Sequence, residues 1–393
     1  MTTALAPRGA SPDGPEVSVV MCVFNGLPFL AQAIESILTQ TFTEFEFIVV
    51  DDASTDGSWE VLSSCSARDE RLVLLRNETN LGYGQSQNRA LRHARGRFIA
   101  LMDQDDVSLP RRLSRQVDFL TTHPETGVVG VRPELVDEAG KPLPTPSFLL
   151  STDNRSLQQR LLETNCFCGP SVMTRRASLD VAGGYDPDLR SAEDYDLLLR
   201  LAEVTQLANL PDSLYLYRQH ARSVSQTRRY EQIRNKAVAL EKAMQRRYAN
   251  RVPASRKRLI ARDGLRAAYL GFMVGETEGA GTALGMATRY APTLFDRGNL
   301  VEQVIGQYVL RQRIHDPFEH VEAVFSGLLP PTHHMRGTKT RLLAQLHMRA
   351  VFEQLATGEA AGVGAHLWPA IRDDPRWLLN RGVLAIAARE LLA

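Results

Sequence analysis

Apolar residues in the first half of this chain follow two alternating rhythms. Val17-Ser-Val-Val-Met-Cys-Val-Phe24 is a short β-branched, apolar run, the pattern of a buried parallel strand. Asn25-Gly26 breaks it, and Pro28 suits a first helical turn. Phe29, Leu30, Ala33, Ile34, Ile37 and Leu38 then recur at helical spacing. Phe45 to Val50 predicts a second strand ending in Asp51-Asp52, and Ser54-Thr-Asp-Gly-Ser58 carries turn and capping chemistry that starts a helix. Leu72 to Leu75 predicts a third strand, and Ala90, Leu91 and Ala94 mark another helix. Phe98-Ile-Ala-Leu-Met102 is a fourth strand, running into Asp103-Gln-Asp-Asp106 before a helix near Pro110. Strand alternating with helix predicts an α/β fold, a mostly parallel sheet with helices on both faces.

From about Tyr230 strand signals vanish and helical periodicity continues to Ala393, which puts a boundary near residues 222–232. The expected organisation is a loose tail over 1–15, an α/β domain over 16–228 and an all-α region over 229–393. The last of these carries an internal repeat. Arg266-Ala-Ala-Tyr269, Gly275-Glu276, Gly279, Gly281, Leu284, Ala287 and Pro292 have counterparts at a constant offset. Those are Arg349-Ala-Val-Phe352, Gly358-Glu359, Gly362, Gly364, Leu367, Ala370 and Pro375. Each copy reads as helix, glycine-rich turn, helix and proline stop, a helical hairpin of the tetratricopeptide-like kind. Pro330-Pro331 predicts a loop between the copies.

Composition narrows the function classes. The 46 Lys and Arg balance 45 Asp and Glu, so a net charge of +1 exerts no overall pull on nucleic acid. Basic residues do outnumber acids between Arg218 and Arg266, where only Glu231, Glu241 and Asp263 oppose them. Such a stretch is either a solvated helix face or a surface for anionic lipid headgroups; its few aromatics argue against nucleic acid. No run reaches the roughly 18 apolar residues of a membrane span. Met1 to Pro15 lacks a signal-peptide apolar core. The expected location is the cytoplasm, with peripheral association at the inner face of the plasma membrane as a variant. The four cysteines, Cys22, Cys65, Cys166 and Cys168, form no Cys-x-x-Cys pair and read as reduced thiols.

The chemistry concentrates in acids at strand ends. Three carboxylates within Asp103-Gln-Asp-Asp106 repel one another unless a partner relieves them, and a hard divalent cation does so. Alternate residues of an extended segment point the same way, so Asp103 and Asp105 can share one ion, with Asp106 adjacent. A capping turn is the plainer alternative. Asp51-Asp52 ends a neighbouring strand, and ligands of open parallel sheets bind beyond such carboxyl ends. These acids can accept hydrogen bonds from a base or a ribose.

Val-Phe-Asn-Gly (23–26), Val-Val-Asp-Asp-Ala-Ser-Thr-Asp-Gly-Ser (49–58), Asn80-Leu-Gly-Tyr-Gly84, Asn88 and Leu-Met-Asp-Gln-Asp-Asp (101–106) follow in order. Gly183-Gly-Tyr-Asp186, Glu193-Asp-Tyr-Asp-Leu-Leu-Leu-Arg200 and Tyr217-Arg-Gln-His220 complete the series. Over about 16–228 the chain resembles glycosyltransferase family 2, whose members share the GT-A fold. That resemblance implies an enzyme moving a sugar from a nucleoside diphosphate sugar, UDP being the commonest carrier, to an acceptor hydroxyl of a glycan or lipid-linked glycan.

It also implies roles. Phe24, Asn25, Asp51, Asp52 and Asn88 line the donor site. Asp103 and Asp105, with Asp106, hold Mn2+ or Mg2+ against the diphosphate, and His220 completes that site with Arg218 near the phosphates. Asp194, or else Glu193, is the catalytic base. Elementary chemistry agrees: the leaving phosphate needs a Lewis acid, and the attacking hydroxyl needs a proton acceptor. Attack opposite the leaving group inverts the anomeric carbon. Asp194 opens a helix, whose N-terminus favours a charged carboxylate. Two positions depart from the family: Cys22 stands where proline is common, and Gln87 where arginine is common, leaving Arg89 or Arg92 to compensate. Two other readings share these residues. One is a non-catalytic scaffold in which the helical region docks a protein partner. The other is a nucleotidyltransferase, though Asn25-Gly-Leu-Pro-Phe lacks the basic loop such enzymes use.

Overall fold

The computed structural model describes residues 14–146, 151–223, 227–249, 251–297, 299–311, 314–330, 332–357 and 362–392. Most of the N-terminal tail, Pro331 and the Gly358-Glu359 pair of the second repeat copy lie outside them. The chain divides into two compact units, one ending at Arg251 and one beginning at Val252.

The first unit is built on β1 (Val17–Val23), β2 (Phe45–Asp51), β3 (Leu72–Arg76) and β4 (Phe98–Met102), paired in parallel in the order β3-β2-β1-β4. Every residue of β2 is buried, and only Cys22 of β1 is less than buried. Strands with both faces covered must be apolar throughout, which is why these segments read as continuous runs rather than alternations. Helices α1 (Leu30–Leu38), α2 (Ser58–Ser66) and α3 (Tyr83–His93) supply the crossovers. α1 buries Leu30, Ala33, Ile34 and Ile37 at the anticipated spacing.

Beyond β4 the sheet becomes mixed. β5 (Val107–Ser108) precedes α4 (Arg112–Thr122), the long β6 (Thr126–Val136) and β7 (Pro142–Leu143). After α5 (Asn154–Leu161) come β8 (Met173–Arg175), α6 (Arg176–Ala182), α7 (Glu193–Val204) and β9 (Gln206–Arg218). The order continues β4-β8-β6-β9-β5, with β8 antiparallel to both neighbours and β6 parallel to β9. The parallel half matches the sequence pattern; β5, β7 and β8 span only two or three residues each, too few to establish a rhythm. The pairing of β6 with β9 shifts register around Arg132 and Pro133. That irregularity bends the strand pair where Pro133 can donate no ladder hydrogen bond.

α8 (Arg229–Tyr248) closes the first unit, so the division falls one helix later than residues 222–232. The reason is packing. α8 buries Ala237, Ala239, Leu240, Ala243 and Met244 and lies on α7. Its basic residues are largely engaged. Lys242 pairs with Asp186 at 2.9 Å, while Arg246 and Arg247 pair with Glu203 at 3.0 and 3.3 Å. Lys236 donates to the Glu163 carbonyl. These α8 side chains are engaged within the first unit.

The second unit is helical in all its regular elements. It comprises α9 (Ala254–Met273), α10 (Thr277–Tyr290), α11 (Leu294–Arg297), α12 (Asn299–Arg311), α13 (Pro317–Gly327), α14 (His333–Thr357), α15 (Val363–Asp373) and α16 (Arg381–Leu392). A left-handed Gly275 turns α9 into α10, and a left-handed Gly362 opens α15. Leu265, Val301, Ile305, Val309 and Leu342 anchor one apolar cluster, and Met348, Val363, Leu367 and Val383 a second. Among the described residues no helix is long and apolar enough to cross a membrane.

Candidate functional site

The loops after β1 and β2 are laced together. Asn25 N–H donates to Ser54 Oγ at 3.0 Å, Gly26 N–H to Ser58 Oγ at 2.9 Å and Leu27 N–H to Asp56 at 3.0 Å. Thr55 N–H returns a bond to Asn25 Oδ1 at 2.9 Å. Asn25 and Ala53 hold φ of 51° and 62°, left-handed values that cost a non-glycine residue about 1–2 kcal/mol. Ser191, just before the catalytic-base candidates, holds φ 65°. Left-handed backbone therefore occurs in the loops after β1 and β2 and in the loop before α7, a strain that persists where surrounding structure fixes the geometry.

Asp51 and Asp52 are 0% and 1% exposed, and their oxygens serve the chain itself. Asp52 accepts from Asn77 Nδ2 at 2.6 Å and from Leu81 and Gly82 N–H at 2.8 Å each, fixing the loop before α3. Asp51 pairs with Arg76 at 3.1 Å. Asn88, placed with the donor contacts on the resemblance, makes two bonds to the Tyr185 backbone, donating at 2.8 Å and accepting at 2.9 Å. It joins α3 to the Gly183–Asp186 segment. Gln87 is fully buried with both amide atoms unpartnered among the described residues, and Arg89 donates to the Arg76 carbonyl and Asn77. Phe24 remains open, 44% exposed, at the end of β1.

Asp103, Asp105 and Asp106 converge: one carboxylate oxygen of each lies within 4.8 Å of the others. His220 Nε2 sits 2.8 Å from Asp105 Oδ2. Burial, together with Asp105 and Asp194, pushes the Asp103 carboxyl well above the usual carboxylate range; burial, Asp105 and Asp103 do the same to Asp106. Among the described residues, Asp106 Oδ2 and His220 Nδ1 are buried without a hydrogen-bond partner. Orphaned acceptors beside crowded acids are what a hard cation satisfies, so this donor set fits Mn2+ or Mg2+.

Arg218 takes a role other than phosphate contact. It is 5% exposed, and its guanidinium donates to the Asp105, Asp137 and Glu138 carbonyls and to Gln32 Oε1, at 2.8, 3.4, 3.2 and 2.9 Å. Its backbone N–H donates to Asp106 Oδ1 at 2.8 Å. It stacks over Phe29 and braces the acidic loop from behind.

Asp194 lies within electrostatic reach of Asp103, and the charges of both act on Tyr83. Asn165 Nδ2 donates to Asp194 Oδ2 at 3.1 Å, and Tyr195 N–H to Oδ1 at 2.7 Å. A methyl at Gly169 would lie 2.9 Å from Asp194 Oδ2, so glycine there leaves the carboxylate room. The helix N-terminus was expected to favour the charged form. Burial outweighs it and raises the Asp194 pKa, with the two hydrogen bonds pulling the other way. Glu193 is 6% exposed, and burial with Asp194 and Glu231 raises it to about 7.

Several contributors carry no sequence signal. Gln104 clamps Phe24 from both sides, accepting from its N–H at 2.8 Å and donating to its carbonyl at 3.1 Å. Arg112, fully buried, donates to the Leu101 carbonyl at 2.6 Å and Gln116 Oε1 at 3.1 Å, and its charge partly offsets the Asp103 acid. An arginine beside a helix start reads as surface; only the tertiary fold turns it inward. Tyr83 and Tyr185 meet edge to face at 5.8 Å beside the acids.

Comparison with known proteins follows the same lines. The family described as Glycosyl transferase family 2 matches residues 18–182. The putative glycosyltransferase EpsE of Bacillus subtilis (strain 168) is 37% identical over 210 residues, covering 52% of this chain and 74% of that protein. The UDP-Glc:alpha-D-GlcNAc-diphosphoundecaprenol beta-1,3-glucosyltransferase WfaP of Escherichia coli is 28% identical over 225 residues, 56% of this chain and 84% of that protein. The mannosyltransferase PcManGT from Pyrobaculum calidifontis, solved with GDP-Man and Mn2+, has a TM-score of 0.52 at 19% identity. That match covers 94% of this chain and 90% of that one, and at such identity it shows the shared fold.

Proposed function

This chain belongs to glycosyltransferase family 2, and from that premise we propose a metal-dependent, inverting enzyme that transfers a sugar from a nucleoside diphosphate, UDP first among the candidates, to a hydroxyl of a glycan or lipid-linked glycan. The observation that carries this reading is the convergence of the Asp103, Asp105 and Asp106 carboxylates, with Asp194 within electrostatic reach of Asp103. A proton acceptor and a cation site within electrostatic reach are the two requirements for displacing a diphosphate by a hydroxyl. The donors of two relatives and neighbours, a UDP-sugar for WfaP and a GDP-sugar for PcManGT, support the class of donor.

Asp103, Asp105, Asp106 and His220 would hold Mn2+ or Mg2+, which supplies Lewis-acid stabilisation of the leaving diphosphate. The chain's own residues do the rest. Phe24 offers an exposed ring to the nucleoside, held by Gln104. Asp51 and Asp52 fix the loops that wall the nucleoside pocket, and Asn88 fixes the Gly183–Asp186 segment. Asp194 takes the acceptor proton. Burial makes it a better base than a free carboxylate, and Asn165 and the Tyr195 N–H hold it in one orientation. One-step attack from the face opposite the diphosphate inverts the anomeric carbon and needs no covalent enzyme intermediate. Glu193 is the second choice for the base; it packs against Gly84 rather than facing the freed space at Gly169.

Donor hydrolysis with and without Mn2+ or Mg2+ tests the reading. Wild type should release nucleoside diphosphate only with metal, and Asp105→Ala should lose that release. Identical traces for both would transfer the chain to the scaffold reading. Proton NMR of the transfer product against the donor then tests inversion. Asp194→Asn should retain metal-dependent donor binding while transfer falls about 10²–10⁴-fold.

A further inference from the structure

The second unit contains a cavity of about 1360 Å3, set among α12, the first turns of α14 and the Pro375–Leu379 turn. Drug-sized ligand sites run roughly 300–1,000 Å3, so this hollow has room for an elongated molecule. It lies entirely within the helical unit and shares no residue with the transfer site.

Its walls are polar and planar. Glu302, Gln303, Gln307, Arg341, Gln345 and Arg376 contribute carboxylate, amide and guanidinium edges. The charges are already matched. Arg341 Nε pairs with Glu302 Oε2 at 2.8 Å, Gln345 Nε2 donates to Glu302 Oε1 at 3.4 Å, and Arg376 grips both oxygens of Asp374 at 2.7 Å. Asp373 pairs with Arg372 at 2.7 Å, so each acid of the wall, Glu302, Asp373 and Asp374, has an arginine partner and the fixed charges of the wall are balanced. Gln303 and Gln307 stand exposed on this wall beside His333 and His334, with Gln307 Oε1 accepting from Arg266 at 3.1 Å; amide groups both donate and accept, as vicinal hydroxyl groups do.

The opening has a cost in helix stability. Gly337 sits inside α14, where glycine is about 1 kcal/mol less favourable than alanine. A methyl there would meet only Arg341 Nη1, at an ordinary 3.6 Å. Gly337 lines the hollow and puts no side chain into it.

We propose that this cavity is a second, non-catalytic binding site for a neutral oligosaccharide chain. The ligand class follows from the charge-matched polar wall. Its purpose, holding a glycan on the chain that extends it, rests on the glycosyltransferase reading of the first unit. A tethered second site raises the local concentration of its ligand without new catalytic contacts.

The test uses the full chain on an array of maltohexaose, cellohexaose, laminarihexaose and chitohexaose with a hyaluronan hexasaccharide as the acidic probe, followed by saturation-transfer NMR. Wild type should retain at least one neutral hexasaccharide, with retention unchanged by 0.5 M salt. Gly337→Phe should weaken it at least tenfold while metal-dependent donor hydrolysis stays at the wild-type rate. Gln303→Ala, at an exposed wall position, should weaken it several-fold without any burden on folding. Retention of the acidic probe alone, no retention of any neutral glycan, or binding indifferent to both substitutions would overturn the proposal. Neutral-glycan binding by a chain that hydrolyses no donor would support the cavity and sink the transfer reading instead.

Discussion

Replacing Glu193 with glutamine should make the protein more stable at pH 8 and change little at pH 5. The carboxyl is 6% exposed, faces the negative charges of Asp194 and Glu231, and has its pKa raised from 4.5 to about 7. A carboxyl raised on folding binds its proton more tightly in the native state. Its contribution is therefore intact below about pH 4.5 and is lost as pH climbs through 7. At 1.36 kcal/mol per unit, the loss approaches about 3 kcal/mol at pH 8 and stays near 1 kcal/mol at pH 5. Glutamine keeps the shape and cannot ionise, so it escapes that loss. For a unit of this size the gain corresponds to a melting shift on the order of 5–10 °C at pH 8. Thermal melts of both proteins from pH 5 to 8 measure it, following the transition of the first unit. The pH dependence of the difference decides the matter, because any change in packing from the substitution is constant with pH. A difference that stays flat across this range would refute the argument that burial and like charge dominate here. The same variant separates the two base candidates: with Asp194 as base, Glu193→Gln retains transfer.

Three further outcomes follow from the geometry. Arg218→Met leaves the Asp105, Asp137 and Glu138 carbonyls and the Gln32 side-chain Oε1 without their shared donor. It should cost about 3 kcal/mol or more in denaturant unfolding, and a loss under about 1 kcal/mol would show that water replaces it. Gln104→Ala removes two exposed hydrogen bonds to the Phe24 backbone. Stability should hold while donor affinity, read by titration with Mn2+ present, falls several-fold, about 1 kcal/mol; unchanged affinity would remove Phe24 from the donor pocket. Gly96→Ala would drive a methyl to 2.4 Å from the Ser18 backbone nitrogen where β1 begins, and should destabilise by about 1–3 kcal/mol in the same unfolding assay.

What could be read from the chain depended on whether local pattern or distant contact fixed a residue's part. β1 and β2 were legible because both of their faces are covered, so burial is written into nearly every position; β4 is nearly as buried, while β3, buried only at Leu72, showed itself by its short apolar run. β5, β7 and β8 span two or three residues each and owe their pairing to neighbours far along the chain. The acids at 51, 52, 103, 105, 106 and 194 were found for their chemistry, but their division of labour was not in the pattern. Asp51 and Asp52 look alike in sequence to Asp105 and Asp106. In space the first pair is consumed by Arg76, Asn77 and the loop before α3, while the second pair faces His220 and an unmet acceptor. Arg218 shows the same limit from the cationic side. Beside an acidic motif a guanidinium reads as a phosphate ligand, yet from the last position of β9 it runs backward into carbonyls. An acidic loop that must present crowded carboxylates needs a rigid support as much as it needs an ion. In this fold Arg112 below and Arg218 behind supply that support before any ligand arrives.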